Sequence, residues 1–338
     1  MRSAYIVAEV GPNHNGKADL AKEVVHSLSK TGVDAIKFQM SIPEKTLSLD
    51  AIKASYQEGN DNAEDIVEAS RKRQLSRKEH RELAVLCSEL GVDYLCTAFD
   101  LESLKFLDQV INVPKFKVAS GEIFSLDLLE YMRDQDKPII FSTGMATYEE
   151  ISKSLDVLDP DRTAELTILH CVSNYPTPLE DVNLRCMSEL RRRFEYPVGF
   201  SDHTLGNVAP TAAVARGASV IEKHVTPDKS LPGPDHQASA TVDQFDSLVS
   251  DIRNVERCLG TTQKQFSEEE QEIAQVARKS IVAKSDLEPG DVITKNDICF
   301  RRPGTGFLPI EEEKVLGARA SNRIEANRVI QQEDIEWN

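Results

Sequence analysis

Eight short apolar segments recur along this chain, separated by segments with helical periodicity. The apolar segments span residues 4–10, 34–40, 93–99, 115–120, 138–144, 166–173, 196–202 and 220–226. Such continuous apolar runs are typical of strands buried on both faces of a parallel sheet. The intervening segments repeat apolar residues at helical spacing, and the clearest of them, 17–32 and 76–91, end in or at a glycine. Eight alternations over about 260 residues predict an α/β fold, the (β/α)8 TIM barrel.

A doubly wound sheet is the structural alternative. It usually has fewer strands, and its site gathers at a single switch point. The sequence contains no GxGxxG or Walker motif. The number of strands, and the polar residues at nearly every strand end, therefore favour the barrel.

The pattern changes after the barrel segments, which we assign to residues 1–262. Residues 263–278 are polar and acidic and are predicted to be a linker with a helical turn. Residues 279–338 combine short β-rich pieces with Gly and Pro turns, which predicts a small second domain. Residues 41–75 form a long insert after the second strand, and such loops on a barrel often serve as lids or substrate walls.

Charge and composition exclude several classes of partner. The formal net charge of −16 disfavours binding to nucleic acid or anionic lipid. No apolar stretch approaches the ~20 residues that span a bilayer, and the N-terminal segment lacks the features of a signal peptide. A cytoplasmic location is therefore expected. The six cysteines have no metal-ligand spacing. Cys171 is a candidate nucleophile, but a buried free thiol is the favoured interpretation.

Polar residues cluster where the apolar segments end. A polar side chain earlier in a buried strand would be sealed in the core, at a cost of about 1–3 kcal/mol if unpaired. We therefore predict that these side chains form one site at the mouth of the barrel. They are Glu9, Lys37, Gln39, Thr97, Lys117, Ser120, Ser142, Ser173, Ser201, His203 and His224.

Two histidines follow neighbouring strands near the end of the barrel. His203 lies after the seventh strand and His224 ends the eighth. Two neutral imidazoles suit Mn²⁺, Zn²⁺ or Fe²⁺, with water or substrate as further ligands. The alternative is one structural and one solvent-facing histidine. Glu9, on the adjacent first strand, is either an acid/base group or one half of a buried ion pair.

Two lysines stand inside apolar strands, where lysine is rare. Lys37 and Lys117, with nearby hydroxyls, could bind a phosphate and a carboxylate, whereas Lys115 is expected to be solvated. A Schiff-base lysine of an aldolase is the alternative. The loop at 13–15 and Asp235 could bind sugar hydroxyls or simply shape turns. Arg301 and Arg302 are either a surface pair or contacts to a substrate.

Together these residues resemble a known family. The motifs EVGPNHNG, KFQ, KVASGE, STGM, YPTPLEDVNL, GFSDHT, EKHVT, GPDH and RRPG, in this order along nearly the whole chain, are similar to those of the sialic acid (nonulosonate) synthases. The resemblance implies a barrel followed by a small antifreeze-like (SAF) domain. It also implies condensation of phosphoenolpyruvate with an N-acetylated hexosamine, dependence on a divalent metal, expected to be Mn²⁺, and a domain-swapped homodimer.

The resemblance also implies roles for individual residues. His203 and His224 would be metal ligands and, with Glu9, catalytic; Gln39, Tyr175 and Asp235 would face the sugar, and Arg302 would reach it from the other subunit. The remaining residues would hold phosphoenolpyruvate: Lys37, Thr97, Lys117, Ser120, Ser142, Ser173 and Ser201. One departure concerns Ser173, because N-acetylneuraminate enzymes carry asparagine there. Here Asn174 follows it, so either of these two residues could make that contact.

Three functions remain open from the sequence. The favoured one is N-acetylneuraminate synthase, which uses N-acetylmannosamine. A legionaminic or pseudaminic acid synthase would use a diacetamido-trideoxyhexose, and a lysine-dependent aldolase would use pyruvate. A non-enzymatic binding module is disfavoured, because an inert barrel has no need for reactive groups on so many strand ends.

Overall fold

The computed structural model describes residues 3–48, 50–51 and 66–337. The chain forms two compact units, Met1–Gly260 and Thr261–Asn338. Eight parallel strands of the first unit pair in the order β3-β2-β1-β8-β7-β6-β5-β4, and β3 lies against β4. The sheet is thus a nearly closed barrel, which confirms the predicted (β/α)8 fold and rules out the doubly wound alternative.

The strands of the barrel match the eight apolar segments. They are β1 Tyr5–Glu9, β2 Ala35–Met40, β3 Asp93–Ala98, β4 Phe116–Val118, β5 Ile139–Ser142, β6 Leu166–Cys171, β7 Val198–Asp202 and β8 Val220–Thr226. A two-residue strand, β9 (Ala240–Thr241), pairs in parallel with the end of β8. The fourth strand is shorter than predicted, because the chain turns into a 3-10 helix at Ser120–Glu122.

Helices surround the strands. They are α1 Ala18–Leu28, α2 Pro43–Thr46, α3 Ile66–Arg73, α4 Arg77–Glu89, α5 Leu101–Phe106, α6 Leu126–Arg133, α7 Tyr148–Leu158, α8 Cys186–Phe194, α9 Val208–Ala215 and α10 Val242–Leu259. A capping box starts α4, since Ser76 and Glu79 each bond the other's backbone. Among the described residues, no helix is long and apolar enough to cross a membrane.

The barrel interior is filled with side chains. One apolar residue from each of six strands forms an inner layer: Val7, Ala35, Leu95, Ile140, Leu169 and Val220. Tyr5 packs against this layer at the amino-terminal end of the strands. The interior is therefore a packed core, and a cavity for substrate must lie beyond the carboxyl ends of the strands.

The insert predicted at 41–75 is described only at its two ends. These ends contain α2 and α3, whereas residue 49 and residues 52–65 lie outside the described part of the chain.

The second unit has its own small core. Its elements are α11 Glu268–Ala277, β10 Ser280–Ala283, β11 Ile298–Arg301, β12 Arg319–Ala320 and β13 Ile335–Glu336. The strand pairs β10–β11 and β12–β13 are antiparallel. Ile281, Val315 and Ile330 are among its fully buried residues. Residues predicted as a linker with one helical turn form the ten-residue helix α11, which starts from a capping box at Ser267.

Two buried histidines of the barrel, His14 and His80, predict a pH-dependent stability. His80 on α4 contacts the Tyr94 hydroxyl at 2.6 Å, and burial lowers its pKa to about 4. Burial likewise lowers the pKa of His14 to about 4. Because the unfolded chain takes up these protons near pH 6.5, stability is lost as the pH falls from 6.5 through 4. Each histidine should cost roughly 2 kcal/mol at pH 5 relative to pH 7.

Denaturant unfolding of the native chain and His80→Gln at pH 7 and 5 measures this loss. We expect the loss to be roughly 2 kcal/mol smaller in the variant. His26→Gln, at an exposed position on α1, is the matched control and should behave as the native chain. The same pH dependence in His80→Gln as in the native chain would contradict the assignment.

Candidate active site

A cavity of about 570 Å³ lies at the carboxyl ends of the barrel strands. Every barrel residue to which the family resemblance assigned a role lines it. These residues are Glu9, Lys37, Gln39, Thr97, Lys117, Ser120, Ser142, Ser173, Tyr175, Ser201, His203, His224 and Asp235. Strand ends scattered over more than 200 residues of sequence thus contribute to one cavity, because the parallel strands all end on the same face of the barrel.

The ends of β1 and β2 form a buried ion pair. Glu9 Oε2 lies 2.7 Å from Lys37 Nζ, and Gln39 Nε2 donates to Glu9 Oε1 at 2.7 Å. Lys37 also donates to Thr97 Oγ1 at 3.2 Å. Burial raises the pKa of Glu9 to about 7, although Lys37 opposes the shift. A carboxyl group with a pKa near neutrality can both take up and release a proton at physiological pH.

A second buried lysine stands on β4. Lys117 Nζ donates to Ser142 Oγ at 2.6 Å and to the Val118 carbonyl at 2.8 Å. Burial lowers the pKa of Lys117. For Lys37, the carboxylates of Glu222 and Glu9 outweigh burial and raise the pKa. The two ammonium groups therefore differ in how firmly each holds its proton.

Glu222 on β8 joins the two lysines and was missed by the sequence analysis. Its Oε1 lies 3.7 Å from Lys37 Nζ and 3.9 Å from Lys117 Nζ, and accepts from Ser201 Oγ at 3.2 Å. Burial opposes ionisation, but the two lysines hold the pKa of Glu222 below its ordinary value. This carboxylate is buried with both ammonium groups and compensates part of their charge.

The signal for Glu222 was present in the motif EKHVT. Glu222 and His224 are two residues apart on a strand, so their side chains share one face. The intervening Lys223 faces the other side, where its Nζ lies 2.5 Å from Asp202 Oδ2. Reading this alternation from His224 would have selected Glu222.

A group of hydroxyls lies near Lys117. Ser120 Oγ accepts from the Gly144 backbone N–H at 2.9 Å. A Cβ on Gly144 would lie 2.3 Å from Ser173 Oγ and 2.8 Å from Ser120 Oγ. Only glycine therefore leaves room for these two hydroxyls beside the backbone at position 144. Ser173 lines the cavity, whereas the neighbouring Asn174 is exposed.

The two histidines converge. Their ring centroids are 5.5 Å apart, and the Tyr175 ring lies 4.0 Å from His203 and 5.6 Å from His224. His203 Nδ1 lies 2.7 Å from the Val172 carbonyl. Donation to that carbonyl leaves Nε2 with a free lone pair, as is usual for histidines that bind metals.

His224 is chemically suited to the same role. Its Nδ1 is buried and has no hydrogen-bond partner among the described residues. Burial, reinforced by nearby lysine ammonium groups such as that of Lys37, holds the pKa of His224 well below its usual range, which keeps the imidazole neutral. In the described part of the chain, no three His, Cys, Asp or Glu side chains are placed to hold a metal ion. A metal between these histidines would therefore need water or substrate as further ligands.

Other polar residues border this region. Burial raises the pKa of Asp235 to about 6, and its Oδ2 lies 3.8 Å from His224 Nδ1. Cys171 ends β6 with its Sγ 3.9 Å from His203 Nδ1. The cavity also includes Ser70, Arg73 and Gln74 on the insert and Glu122 after β4, none of which was predicted.

Several candidates lie elsewhere. Arg302 belongs to the second unit, where it is exposed and its Nε donates to the Ala277 carbonyl at 2.9 Å. Asn13 is fully buried, and its amide donates to the Val225 carbonyl and Ser239 Oγ at 2.8 and 2.9 Å. These hydrogen bonds hold the first loop against the end of β8. Asn13 therefore shapes the turn, which was the alternative to binding a sugar. Lys115 lies 5.2 Å from the Tyr5 ring, outside the cavity.

This fold and this cavity are those of a (β/α)8-barrel enzyme with its site on the carboxyl ends of the strands. The chain belongs to the NeuB family, whose model matches residues 24–264, and a SAF domain model matches residues 278–336.

Individual relatives agree with this membership. N,N'-diacetyllegionaminic acid synthase of Legionella pneumophila is 40% identical, over 99% of this chain and 95% of its own length. Human N-acetylneuraminate-9-phosphate synthase is 32% identical, over 97% and 92% respectively. The crystal structure of N-acetylneuraminic acid synthetase from Leptospira borgpetersenii has a TM-score of 0.71 at 30% identity, covering 80% of this chain and 90% of that chain. The resemblance predicted from the motifs is confirmed, and the chain is an enzyme of the nonulosonate synthase family.

Proposed function

We propose that this enzyme condenses phosphoenolpyruvate with an N-acetylated hexosamine to give a nine-carbon 2-keto acid and inorganic phosphate. The observation that supports this most is the placing of two buried lysines and a group of hydroxyls beside a pair of convergent histidines. The first group suits a small, highly charged anion, and the second suits a metal next to a neutral carbonyl. We place the reaction in the cytoplasm.

Phosphoenolpyruvate is assigned to the lysine side of the cavity. Lys37 and Lys117 supply the charge, and Thr97, Ser120, Ser142, Ser173 and Ser201 supply hydroxyl donors for the phosphate and carboxylate oxygens. On binding, the lysines exchange part of their contact with Glu9 and Glu222 for contact with the anion. The site therefore holds the enol carbon of the substrate in a fixed position against the acceptor aldehyde.

The sugar is assigned to the histidine side, where Gln39, Tyr175 and Asp235 also line the cavity. His203 and His224 would hold a divalent metal, which we propose is Mn²⁺. Such a metal supplies Lewis-acid polarisation of a carbonyl oxygen. We further propose a domain-swapped homodimer in which Arg302 of one protomer reaches the sugar bound by its partner.

Glu9 is the general base of this proposal. Carbon C3 of phosphoenolpyruvate bonds to the aldehyde carbon, which leaves positive charge at C2. Water adds to C2 while Glu9, with its pKa near 7, accepts a proton from it. The proton that the water releases balances the one taken up by the aldehyde oxygen. The tetrahedral intermediate then breaks its C2–O bond and releases phosphate.

Two acceptors are supported. The sequence favoured N-acetylmannosamine, the acceptor of an N-acetylneuraminate synthase. The 40% identity to an enzyme named for diacetyllegionaminic acid favours a diacetamido-trideoxyhexose. An aldolase that forms a Schiff base is less consistent with the family relatives, which are named as synthases.

A phosphate-release assay tests the function. Purified protein with Mn²⁺, phosphoenolpyruvate and each of the two acceptors should release phosphate only when both substrates are present, and mass spectrometry should detect the nine-carbon product. Pyruvate with borohydride should leave the protein unmodified. Covalent trapping by pyruvate, without phosphate release from phosphoenolpyruvate, would establish the aldolase instead.

A further inference from the structure

Glu222 faces the two cavity lysines without forming a hydrogen bond to either. Its Oε1 lies 3.7 Å from Lys37 Nζ and 3.9 Å from Lys117 Nζ. Both distances exceed the range of about 2.7–3.2 Å that is typical of an N–H···O hydrogen bond. Its Oε2 is buried and accepts no hydrogen bond from the described residues. The carboxylate therefore compensates the lysine charge from a distance and leaves the ammonium protons to other partners.

These other partners hold the ammonium groups in place. Lys37 Nζ contacts Glu9 Oε2 at 2.7 Å and Thr97 Oγ1 at 3.2 Å. Lys117 Nζ donates to Ser142 Oγ at 2.6 Å and to the backbone carbonyl of the next residue at 2.8 Å. An ammonium group has three N–H donors, so each lysine keeps one donor that makes no hydrogen bond to the described residues. The position of both lysines thus does not depend on the carboxylate between them, and each can donate once to an anion.

The same distances place Glu222 close to any anion that these lysines bind. An oxygen bonded to an ammonium group lies about 2.8 Å from its nitrogen. Any oxygen bonded to Lys37 or Lys117 therefore lies within about 7 Å of Glu222 Oε1. Like charges at this range in a buried site repel one another appreciably. Phosphoenolpyruvate and inorganic phosphate, which are both multiply charged anions, would bind against this repulsion.

We propose that Glu222 is a charge-balancing residue that weakens the hold of Lys37 and Lys117 on anions, so that inorganic phosphate can leave after the reaction. This inference rests on the proposed function. Two buried ammonium groups without a counter-ion would bind phosphate tightly, and slow release of a product limits turnover. Glu222 opposes this, because its carboxylate compensates the lysines again as soon as the phosphate departs.

Binding measurements on the full chain with Glu222→Gln test the proposal. Calorimetric titrations with phosphoenolpyruvate and with inorganic phosphate, each with Mn²⁺ and without a sugar, give the two dissociation constants. Glutamine keeps the shape of the side chain and removes its charge. We expect both ligands to bind the variant roughly 10-fold more tightly than the native chain. A merely structural role predicts the opposite sign, because a displaced lysine holds an anion less well.

Steady-state kinetics add a second measurement. In Glu222→Gln, the inhibition constant for inorganic phosphate should fall about 10-fold and kcat should fall roughly threefold or more, because phosphate leaves more slowly. The KM for the sugar should stay within about twofold of the native value. Glu180→Gln is the matched control, since Glu180 is exposed on the 3-10 helix after β6. It removes the same charge from the surface and should leave all these constants within about twofold.

A shorter carboxylate gives an independent test, which also serves if Glu222→Gln does not fold. Glu222→Asp keeps the charge but draws it back from the lysines, so it should bind phosphate about two- to threefold more tightly than the native chain. Binding no tighter than native, in Glu222→Asp or in folded Glu222→Gln, would overturn the role of Glu222, and turnover by the native chain would still support the function. If the native chain binds neither phosphoenolpyruvate nor phosphate, the proposed function fails and this inference fails with it.

Discussion

Lys117→Ala is expected to raise the KM for phosphoenolpyruvate about 100-fold or more, while the KM for the sugar changes by less than about fivefold. Lys117 is buried, and its ammonium group contacts Ser142 Oγ and lies 3.9 Å from Glu222. Removing it takes away one of two cations for a substrate with phosphate and carboxylate groups. Among the described residues it also leaves Glu222 with Lys37 as its one ammonium partner within 4 Å, and this carboxylate then repels the substrate. Initial-rate measurements with each substrate varied in turn give the two constants.

Lys115→Ala is the matched control for this variant. Lys115 lies two residues earlier, beside the start of the same strand, with its ammonium group over the Tyr5 ring at the amino-terminal end of the barrel. Its loss should change neither KM by more than about twofold. Melting temperatures of both variants show whether the barrel remains folded. Equal increases in the two KM values for Lys117→Ala would contradict the assignment of Lys117 to phosphoenolpyruvate.

The barrel could be predicted from the sequence because its strands are buried on both faces. Such strands stand out as continuous apolar runs, as in 34–40 and 166–173, whose bounds nearly match β2 and β6. The chain at 115–120 was less well predicted. The segment was predicted as one strand, but β4 ends at Val118, because Ser120 starts a 3-10 turn and accepts a hydrogen bond from the Gly144 backbone. The end of β4 is determined by contacts between segments distant in sequence, and these cannot be predicted from a local sequence pattern.

The site was predictable for a related reason. A polar side chain at the end of a buried strand has few places to lie other than a cavity, and this holds for Glu9, Thr97 and Ser142. Glu222 is the third residue of β8, and it was missed because its charge is stabilised by Ser201 and by lysines from other strands. Arg73 was missed because it belongs to a polar helix. Its place depends on the contact of that helix with Gly16, which is 57 residues earlier. Conversely, Asn13 was a candidate sugar ligand, but its side-chain amide donates to the Val225 carbonyl.

The pair of histidines, His203 and His224, is the basis of a second prediction, which concerns metal binding and kcat. His203 Nδ1 is engaged by the Val172 carbonyl, and the buried Nδ1 of His224 lacks a hydrogen-bond partner among the described residues. Two imidazoles alone give a site of modest affinity, so loss of either should abolish binding rather than weaken it slightly. The structure offers a comparison on the neighbouring strand. His170 on β6 is also buried, but its Nε2 contacts the Val182 carbonyl at 2.6 Å and its ring stacks on Phe200, away from the cavity.

His203→Ala is therefore expected to lower kcat by at least about 1,000-fold, since a Lewis acid supplies several kcal/mol of transition-state stabilisation. Metal analysis after dialysis against Mn²⁺ should find near-stoichiometric metal in the native chain and only traces in the variant. His170→Ala should show the reverse pattern, with a lower melting temperature, since a buried ring is lost, but native metal content and native KM values. Both variants should keep the far-ultraviolet circular dichroism of the native barrel. Full turnover by His203→Ala after treatment with a chelator would refute the metal site, because the remaining imidazole of His224 cannot hold the ion alone.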